Sequence, residues 1–299
     1  VFKRNEDYWR AGVPKLDEIT FEVGQEPVVA LLRLQRGEAD IPGDGIPPAK
    51  FLEVTKDPQY KDLIIEGGQL HTGYVTMNVK MPPFDKLEVR KAVNMAINKD
   101  RVVRIINGRA VPANQPLPPT MPGYDNEYTG YAYDPEAAKA LLAEAGYADG
   151  FSIGMDCPND RYVNDEAICQ AVAAMLARIG VKVNLNAQPK AKYFAKILAS
   201  GGYDTSFYLL GWTPGSFDSW NVLDNLMNCR DESGKGSPFN NGGFCDEKID
   251  QLTDEILVEI DPEKRDAMIA EAFRISHENA YYLPLHQQSL AWGVSDKLD

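Results

Sequence analysis

Between residues 73 and 151, hydrophobic and polar positions follow periodicities that predict one strand and three helices. Residues 73–78 carry β-favouring side chains and lead into two consecutive prolines, which is typical of a strand that ends in a loop. From Val89 onward, apolar residues recur at the spacing of one buried helix face. A second helix is predicted over residues 99–106, with Asn98 as its N-cap and Gly108 at its end.

The third of these helices is the most clearly delimited. Asp134 supplies the N-cap, Pro135 takes the first helical position and Gly146 ends the helix. Its inward stripe consists of four apolar residues, Ala138, Leu141, Leu142 and Ala145. We therefore expect this helix to pack against a hydrophobic core.

The same patterns extend over the rest of the chain. They predict strands at residues 19–23, 38–41, 63–66, 151–155, 181–185, 205–211 and 281–286. They predict helices at residues 27–36, 48–56, 166–179, 190–200, 246–258 and 262–277. The strand at 205–211 is almost wholly apolar, as expected for a strand that is buried on both faces. Regular alternation of strand and helix after residue 150 predicts an α/β fold with a mostly parallel or mixed sheet.

Composition is that of a globular chain and excludes several classes of function. A chain of 299 residues exceeds the size at which single cores usually divide into domains. Its net charge of −13 argues against a nucleic-acid partner and against docking on anionic lipid. We attribute this charge to a solvated acidic surface, with attraction of cationic ligands as the alternative. The sequence contains no apolar run long enough to span a bilayer and no signal-peptide pattern.

Four cysteines form two pairs that are close in sequence, Cys157 with Cys169 and Cys229 with Cys245. Of the three connectivities that four cysteines allow, local pairing is the simplest. Neither pair has the spacing of a zinc site, and we predict no metal site. A bridge between Cys229 and Cys245 would restrict the unfolded loop and contribute about 3 kcal/mol. Two bridges would indicate an oxidising compartment.

Two loops at predicted strand ends carry the polar residues best placed to bind a ligand. The first loop, residues 156–162, follows the strand at 151–155, and the second, residues 211–221, follows the strand that ends near residue 210. Ligands of α/β proteins bind beyond the carboxyl ends of the strands. If these two strands are neighbours in the sheet, both loops face one crevice.

Arg161 in the first loop and Asp218 in the second are the charged candidates of this site. The planar guanidinium of Arg161 can hold a ligand carboxylate through paired hydrogen bonds, and Asp218 can accept hydrogen bonds from a ligand ammonium. Each has a structural alternative. Arg161 can stay solvated or pair with Asp160 or Asp165, and Asp218 can cap a helix that starts one or two residues later.

Four uncharged residues complete the candidate site. Trp212 and Trp220 can form walls of a side-chain pocket, and Tyr74 and Asn78 belong to the predicted strand at 73–78. All four would be equally ordinary as core or hinge-packing residues. The histidines at positions 71, 277 and 286 lack metal-ligand spacing and are predicted to be packing or surface residues. The sequence contains no P-loop, nucleophile elbow, zinc-protease or dinucleotide-binding motif.

An ordered series of segments in this chain resembles a known family. The segments are NEDYWRAGVPKLDEITF, LQRGEADI, GYVTMNVKMPPFDKLEVRKAVNMAINKDRVV, NGRAVPANQPLPPTMPGY and YAYDPEAAKALLAEAGYADGF. They resemble the family-5 extracellular solute-binding proteins, which are the dipeptide-, oligopeptide- and nickel-type receptors of ABC importers. The resemblance covers essentially the whole chain and continues past Asp218.

The resemblance implies an α/β fold of the periplasmic binding protein type II, with one complete α/β lobe and part of the other. Residues 1–75 would belong to the partial first lobe, residues 76–287 to the second lobe, and residues 288–299 to a return segment. Tyr74 and Asn78 would lie where the chain crosses between lobes, with a hinge there and near residues 286–287. The sequence is then expected to be a fragment that lacks the N-terminal part.

For the site, the resemblance implies that Arg161 holds the carboxylate of a peptide and that Asp218 meets its amino terminus. One detail departs from the family. Ser219 follows Asp218 where the receptors usually have proline, which changes the loop that aims the carboxylate. The resemblance also implies a disulfide between Cys229 and Cys245, and it leaves the first cysteine pair open.

We therefore expect a substrate-binding receptor that captures a small ligand, in the first place a short peptide, between two lobes. The receptor would deliver the ligand to the membrane permease of an ABC importer, as a monomer, without cofactor or catalysis. Its location would be periplasmic or otherwise extracytoplasmic and membrane-associated. A nickel chelate, haem, an opine or an oligosaccharide is the alternative ligand. An alternative of another class is a hydrolase that uses Asp156, Asp160 and Asp218, and a third is a module that binds another protein.

Overall fold

The computed structural model of the protein describes residues 1–43, 45–107, 109–198, 203–231, 233 and 235–298. The strands are β1 (Phe2–Lys3), β2 (Glu18–Ile19), β3 (Ile64–Met77), β4 (Ala110–Pro112), β5 (Phe151–Pro158), β6 (Val181–Gln188), β7 (Phe207–Trp212) and β8 (Tyr282–Gly293). The helices are α1 (Pro27–Gln35), α2 (Pro48–Val54), α3 (Leu87–Met95), α4 (Lys99–Ile105), α5 (Pro135–Glu144), α6 (Asp165–Ala177), α7 (Lys190–Ile197), α8 (Trp220–Val222), α9 (Glu247–Val258) and α10 (Pro262–Glu278). A 3-10 turn spans Lys61–Leu63, and a π turn at Leu223–Met227 continues α8. No helix in the described ranges is both long enough and apolar enough to cross a membrane.

These residues divide into two compact units. The first comprises Val1–Glu66 with Ala291–Asp299, and the second comprises Gly67–Leu290. The boundaries predicted from the sequence, after residues 75 and 287, both fall inside the second unit. Assignment of the units to lobes of a receptor stays a prediction.

The first unit has a small core. Its buried apolar side chains are Leu31, Ile46, Phe51, Val54 and Ala291. The backbone N–H of Ile46 donates to the carbonyl of Ala291 at 2.8 Å and joins the two chain segments of this unit. Most of the large hydrophobic side chains that are exposed in the described ranges belong to this unit. A cavity of about 310 Å³ lies between α1 and the segment that follows β8.

The second unit is built on a mixed sheet with the strand order β4-β8-β3-β7-β5-β6. β3 and β7 are antiparallel, and Gly73 lies directly opposite Gly211. β5 is parallel to both of its neighbours, β6 and β7. The predicted α/β architecture with a mixed sheet is therefore confirmed.

Helices cover both faces of this sheet, and β7 is buried between them. Phe207 and Leu209 belong to the core formed with α3, α4, α5 and α6. Tyr208 and Leu210 belong to the core formed with α7, α9 and α10. Each of these side chains is at most 3% exposed, which corresponds to about 1.5–3 kcal/mol of transfer free energy per residue. The prediction of a strand buried on both faces is confirmed.

Two predicted helix caps are present. The side chain of Asn98 accepts the N–H of Arg101 at 2.9 Å, and that of Asp134 accepts the N–H of Ala137 at 2.9 Å. These bonds satisfy donors that the first turn of a helix leaves unpaired, which explains why α4 and α5 begin where the sequence indicates. Gly108, the predicted stop of the second helix, and residues 199–200, the predicted end of the helix that begins at residue 190, lie outside the described residues.

Four predicted strands are wrong in extent or in kind. The strand predicted at residues 19–23 is reduced to β2. Residues 63–66 and 73–78 belong to one strand, β3, because the intervening glycines stay extended and form no turn. Residues 38–41 form no strand, since the N–H of Glu38 donates to the carbonyl of Arg33 at 2.9 Å and closes the end of α1. The sequence analysis missed β4, whose Pro112 is typical of an edge strand and conceals the strand pattern.

Candidate ligand-binding site at the carboxyl edge of the sheet

The loops after β5 and β7 leave the sheet at the same edge. β5 pairs with β7 in parallel, with Met155 opposite Phe207 and Asp156 opposite Tyr208. Parallel neighbours have their carboxyl ends on one side of a sheet, where α/β proteins bind ligands. The condition stated from the sequence, that the two strands be neighbours, is met, and these two loops define the candidate site.

Hydrogen bonds from α6 and its cap fix the backbone of the first loop. The buried carboxylate of Asp165 accepts the N–H of Arg161 and the N–H of Tyr162, each at 2.9 Å. Burial raises the pKa of Asp165, although these backbone hydrogen bonds act in the opposite direction. Asn164 adopts a left-handed backbone with φ of 52°, and its amide donates to the carbonyl of Ile105 at 2.8 Å.

A disulfide closes the base of this loop. Cys157 in β5 is bridged to Cys169 in α6, and both residues are fully buried. Cys229 and Cys245 form the second bridge. The pairing implied by the resemblance is therefore confirmed, and the pair that the sequence left open is bridged as well.

Arg161 carries an exposed side chain above a tyrosine ring. Its Cζ lies 4.8 Å from the centroid of Tyr162. Among the described residues, neither Asp160 nor Asp165 forms an ion pair with this guanidinium, so the structural partners considered from the sequence do not occupy it. The side chain of Asp165 instead contacts the backbone of the loop.

Asp218 in the second loop has two partners. Its Oδ1 accepts the N–H of Trp220 at 2.9 Å, which is the capping role considered from the sequence. Its two oxygens also accept hydrogen bonds from Nη2 of Arg265, which lies in α10. The carboxylate side chain remains 39% exposed, so part of it faces solvent.

The two tryptophans of the site are half-buried. Nε1 of Trp212 donates to Oδ1 of Asn221 at 3.1 Å, and the ring lies 4.9 Å from that of Phe239. Trp220 packs against the same core as Trp212. Phe217 beside Asp218 was missed in the sequence analysis, and its side chain is 62% exposed. A phenylalanine among polar and glycine residues of a predicted loop is a signal that the sequence did contain.

Tyr74 and Asn78 lie beneath the surface of the second unit. Tyr74 is 1% exposed and packs edge-on against Tyr282 at 5.2 Å. Asn78 is 3% exposed, and its amide donates to the carbonyls of Tyr203 and Thr205. Their proposed contact with a ligand stays a prediction, and in this structure both residues pack inside the unit.

One buried histidine adjoins the first loop and a second lies on the neighbouring strand, an arrangement that the sequence analysis did not foresee. His71 in β3 is 5% exposed, and its Nδ1 lies 2.8 Å from Oγ1 of Thr213. Its ring packs against Tyr162 at 5.6 Å between centroids. His286 in β8 is 2% exposed, and its Nδ1 has no hydrogen-bond partner among the described residues. His71 and His286 lie on neighbouring strands that are far apart in sequence, so no local sequence pattern indicates that they are close.

The other carboxylates considered for catalysis have structural contacts. Asp156 is fully buried and pairs with Nζ of Lys196 at 2.7 Å. Burial acts to raise its pKa, but hydrogen bonds from Lys196 and other side chains outweigh burial and lower it. Asp160 accepts the N–H of Lys190 at 2.6 Å, at the start of α7. No group of three or more potential metal ligands was found within the described ranges.

Comparison with known proteins places this geometry in a family. Residues 1–234 match the model of the bacterial extracellular solute-binding proteins, family 5 Middle. A relative from Pseudomonas aeruginosa (strain UCBPP-PA14), Di/tripeptide-binding protein 2, is 32% identical over 294 residues, which are 95% of this chain and 52% of the relative. The dipeptide-binding protein of Escherichia coli (strain K12) is 30% identical over 93% of this chain and 51% of its own length.

A solved structure agrees with the sequence comparison. The periplasmic binding protein DppA of Helicobacter pylori, determined in complex with the peptide STSA, has a TM-score of 0.79 and 26% identity. The match covers 98% of this chain and 56% of that chain. This chain thus spans about half the length of the proteins it matches. Since the family model covers most of the chain and the relatives align along nearly all of it, the chain belongs to family 5 of the bacterial extracellular solute-binding proteins.

Proposed function

We propose that the protein is the substrate-binding receptor of an ABC importer and that its ligand is a short peptide. The observation that carries the proposal is the parallel pairing of β5 with β7, because it brings the loops of Arg161 and Asp218 to one edge of the sheet. A cation in one loop and an anion in the other match the two charged ends of a peptide. Relatives named for dipeptides and tripeptides support the same ligand class.

In this proposal Arg161 binds the ligand carboxylate. Its guanidinium is exposed and free of ion pairs among the described residues, so no partner within that part of the chain must be displaced. Paired hydrogen bonds between a guanidinium and a carboxylate are among the strongest polar contacts available to a protein. The buried Asp165 holds the loop backbone, and Arg161 can therefore present its donors from a fixed base.

Asp218 receives the ligand ammonium beside Arg265. A carboxylate offers about four lone-pair positions. Arg265 and the N–H of Trp220 use part of this capacity, and the exposed part of the carboxylate remains for the ligand. The departure from the family at Ser219 is compatible with this role, because the N–H of Trp220 still orients Oδ1.

Apolar residues around the two charges accommodate the side chains of the ligand. Trp212, Trp220 and the exposed Phe217 supply large rings near Asp218, and such walls tolerate side chains of different shape. Tyr74 and Asn78 support the strand beneath, with contact to the ligand limited by their burial. The receptor then recognises the two charged ends of a peptide and tolerates different side chains between them.

The family and the two disulfides support a proposal for the cellular role. Disulfides persist in oxidising compartments such as the periplasm. We infer that the receptor works there as a monomer and delivers its ligand to a membrane permease. It binds without a cofactor and leaves the ligand chemically unchanged.

Calorimetric titration of the full-length protein with three forms of one dipeptide tests this proposal. We use L-alanyl-L-leucine, its N-acetyl derivative and its C-terminal amide. The free dipeptide is expected to bind at least about tenfold more tightly than either blocked form, because each block removes one charge-assisted contact. Arg161→Ala should abolish the preference for the free carboxylate, and Asp218→Ala the preference for the free amine.

Two control variants lie at the opposite edge of the sheet. Arg178 follows α6 and Asp149 precedes β5, and both are exposed. Arg178→Ala and Asp149→Ala should leave all three affinities unchanged. The peptide proposal fails if none of the three forms binds, or if the Arg161 and Asp218 variants keep the wild-type preferences for the free carboxylate and the free amine. Mass spectrometry of a ligand that co-purifies with the protein would then identify a nickel chelate, haem, an opine or an oligosaccharide. Turnover of the dipeptide would favour the hydrolase.

A further inference from the structure

Arg161 lies over the ring of Tyr162, which in turn packs at a tilt against the ring of His71 in the sheet. The guanidinium carbon lies 4.8 Å from the ring centroid of Tyr162, and the Tyr162 ring lies 5.6 Å from the His71 ring with 40° between the planes. Arg161 is exposed, Tyr162 is half-buried and His71 is 5% exposed. The three residues therefore form a column from solvent to the strands.

Contacts at the lower end hold the column in place. Nδ1 of His71 lies 2.8 Å from the hydroxyl of Thr213, and the hydroxyl of Tyr162 donates to the carbonyl of Gly211 at 3.4 Å. A Cβ added to Gly211 would lie 2.4 Å from the His71 ring and 2.8 Å from that of Tyr162. Only glycine at this position allows both rings to lie on the backbone of β7.

A second glycine accommodates the neighbouring histidine. Gly73 pairs directly with Gly211, and a Cβ added to Gly73 would lie 2.3 Å from the ring of His286. The two imidazoles thus lie on one face of three adjacent strands, β8, β3 and β7. This arrangement excludes larger side chains from the floor beneath Arg161.

Two titratable groups, His286 and Arg161, influence the charge state of His71. Burial, with smaller contributions from His286 and Arg161, lowers the pKa of His71 to about 3. The carboxylate of Asp165 accepts the backbone N–H groups of Arg161 and Tyr162. His71 is therefore a neutral ring at physiological pH and does not repel Arg161.

We propose that Tyr162 and His71 are positioning residues that hold the Arg161 guanidinium ready for a ligand carboxylate. The inference rests on the proposed function, in which Arg161 binds that carboxylate. A guanidinium stacked on an aromatic face keeps all of its N–H donors free in its own plane. Holding the group before the ligand arrives reduces the entropy lost on binding, which is the advantage of a pre-organised contact.

The first experiment separates the ring face of Tyr162 from its hydroxyl. We measure the affinity ratio between L-alanyl-L-leucine and its C-terminal amide by calorimetry. Tyr162→Phe keeps the face and should leave the ratio within about twofold, whereas Tyr162→Leu should reduce it about five- to tenfold. Affinity for the amide should be nearly unchanged in both variants, which a general loss of structure would not produce.

The second experiment uses unmodified protein and the imidazole signals of its three histidines in NMR spectra. Because the His71 ring contacts Tyr162 beneath Arg161, a carboxylate that binds Arg161 should shift the His71 ring signals at neutral pH. The amide should have no such effect. His277 serves as an internal control, because it is stacked on Tyr128, on another part of the unit.

The outcomes separate the inference from the proposed function. If Arg161→Ala removes the preference for the free carboxylate but Tyr162→Leu does not, the two rings have no positioning role and only the inference is overturned. An unchanged His71 signal on binding of the free dipeptide would overturn it as well. If Arg161→Ala has no effect, or wild-type protein binds neither peptide, the proposed function fails and the inference fails with it.

Discussion

Nη2 of Arg265 lies 2.9 Å from each carboxylate oxygen of Asp218. Nε of the same guanidinium donates to the carbonyl of Ile256 at 3.0 Å, so Arg265 is held by α9 while it contacts the second loop. The carboxylate proposed to receive a ligand ammonium is thus already paired with a cation of the protein. A ligand must share Asp218 with Arg265.

The variant Arg265→Gln tests whether Arg265 weakens or strengthens the binding of a ligand ammonium to Asp218. Removal of the neighbouring cation should strengthen attraction between Asp218 and the ligand amine, because Trp220 still orients the carboxylate. For a partly exposed pair worth about 1 kcal/mol, affinity for L-alanyl-L-leucine should rise roughly fivefold, with no change for its N-acetyl form. Calorimetry at low ionic strength measures both.

A matched control lies on the same helix. Arg274 forms an exposed pair with Glu278 in α10, and Arg274→Gln should leave both affinities unchanged. Weaker binding of the free amine in Arg265→Gln would mean that Arg265 aims the carboxylate and does not compete for it. Stability should fall by no more than about 1 kcal/mol in either variant.

Gly211→Ala is expected to destabilise the protein by about 1–3 kcal/mol through overpacking. The new Cβ would meet the His71 and Tyr162 rings at 2.4 and 2.8 Å, and one ring must move. Urea unfolding measures the loss, and the preference for a free ligand carboxylate should fall at the same time. The backbone of Gly211 has no positive φ, so the effect is one of space and not of conformation.

Gly68→Ala is the control for this variant. Gly68 also lies in a strand of the sheet, but a Cβ there meets no atom within 4 Å. Its free energy of unfolding should stay within about 0.5 kcal/mol of wild type. An equal loss in both variants would show that glycine is needed in these strands for a reason other than ring packing.

Local chemistry explains why much of the fold was predictable. The caps at Asn98 and Asp134 depend on side chains and N–H groups three residues apart, so the sequence contains both partners of each bond. The apolar run of β7 is likewise a local pattern. Some predictions failed, such as the strand at 38–41. Its conformation depends on one backbone hydrogen bond, which side-chain patterns do not reveal.

Site residues were predictable only where they belong to the two loops that follow predicted strands. Arg161 and Asp218 follow strands whose ends could be located, and the parallel pairing of β5 and β7 was the one condition left open. Arg265 lies 47 residues from Asp218, and no periodicity links them. His71 reaches Tyr162 only because β3 lies next to β7, a neighbour relation that depends on the order of the sheet.

Removal of the Cys229–Cys245 bridge should lower the free energy of unfolding by about 3 kcal/mol, as expected for a closed loop of about this length. The sequence separation is 16 residues. In the folded state Asn240 still donates to the carbonyls of Asn228 and Phe244, so the loop keeps its native contacts without the bridge. Urea unfolding of the Cys229→Ala/Cys245→Ala variant measures the loss.

A comparison within the same protein tests the loop-entropy explanation. The Cys157–Cys169 bridge has a separation of 12 residues, and its removal should have a slightly smaller effect on the unfolded chain. Both cysteines are fully buried in the core, so their replacement by alanine adds a packing loss. A near-zero effect at Cys229 and Cys245 would show that the unfolded loop is already restricted.

Stability should fall as the pH is lowered from about 6.5, because three histidines are buried without charge. Burial lowers the pKa of His71 to about 3 and those of His277 and His286 to about 4. Unfolding returns each to an ordinary value near 6.5, so below that pH the unfolded state binds more protons. At pH 5 each histidine can lower stability by up to about 2 kcal/mol.

Single variants isolate this effect from the titration of carboxylates. In His277→Phe and His286→Phe, the decrease in the free energy of unfolding between pH 7.5 and pH 5 should be smaller than in wild type by up to about 2 kcal/mol. Packing changes alter stability equally at both pH values and cancel in this difference. The result therefore measures only the contribution of histidine protonation. The stack of His277 on Tyr128, with centroids 4.1 Å apart, should be retained by phenylalanine. Equal pH dependence in wild type and both variants would mean that these imidazoles become protonated within the folded protein, and their burial would then not prevent charging.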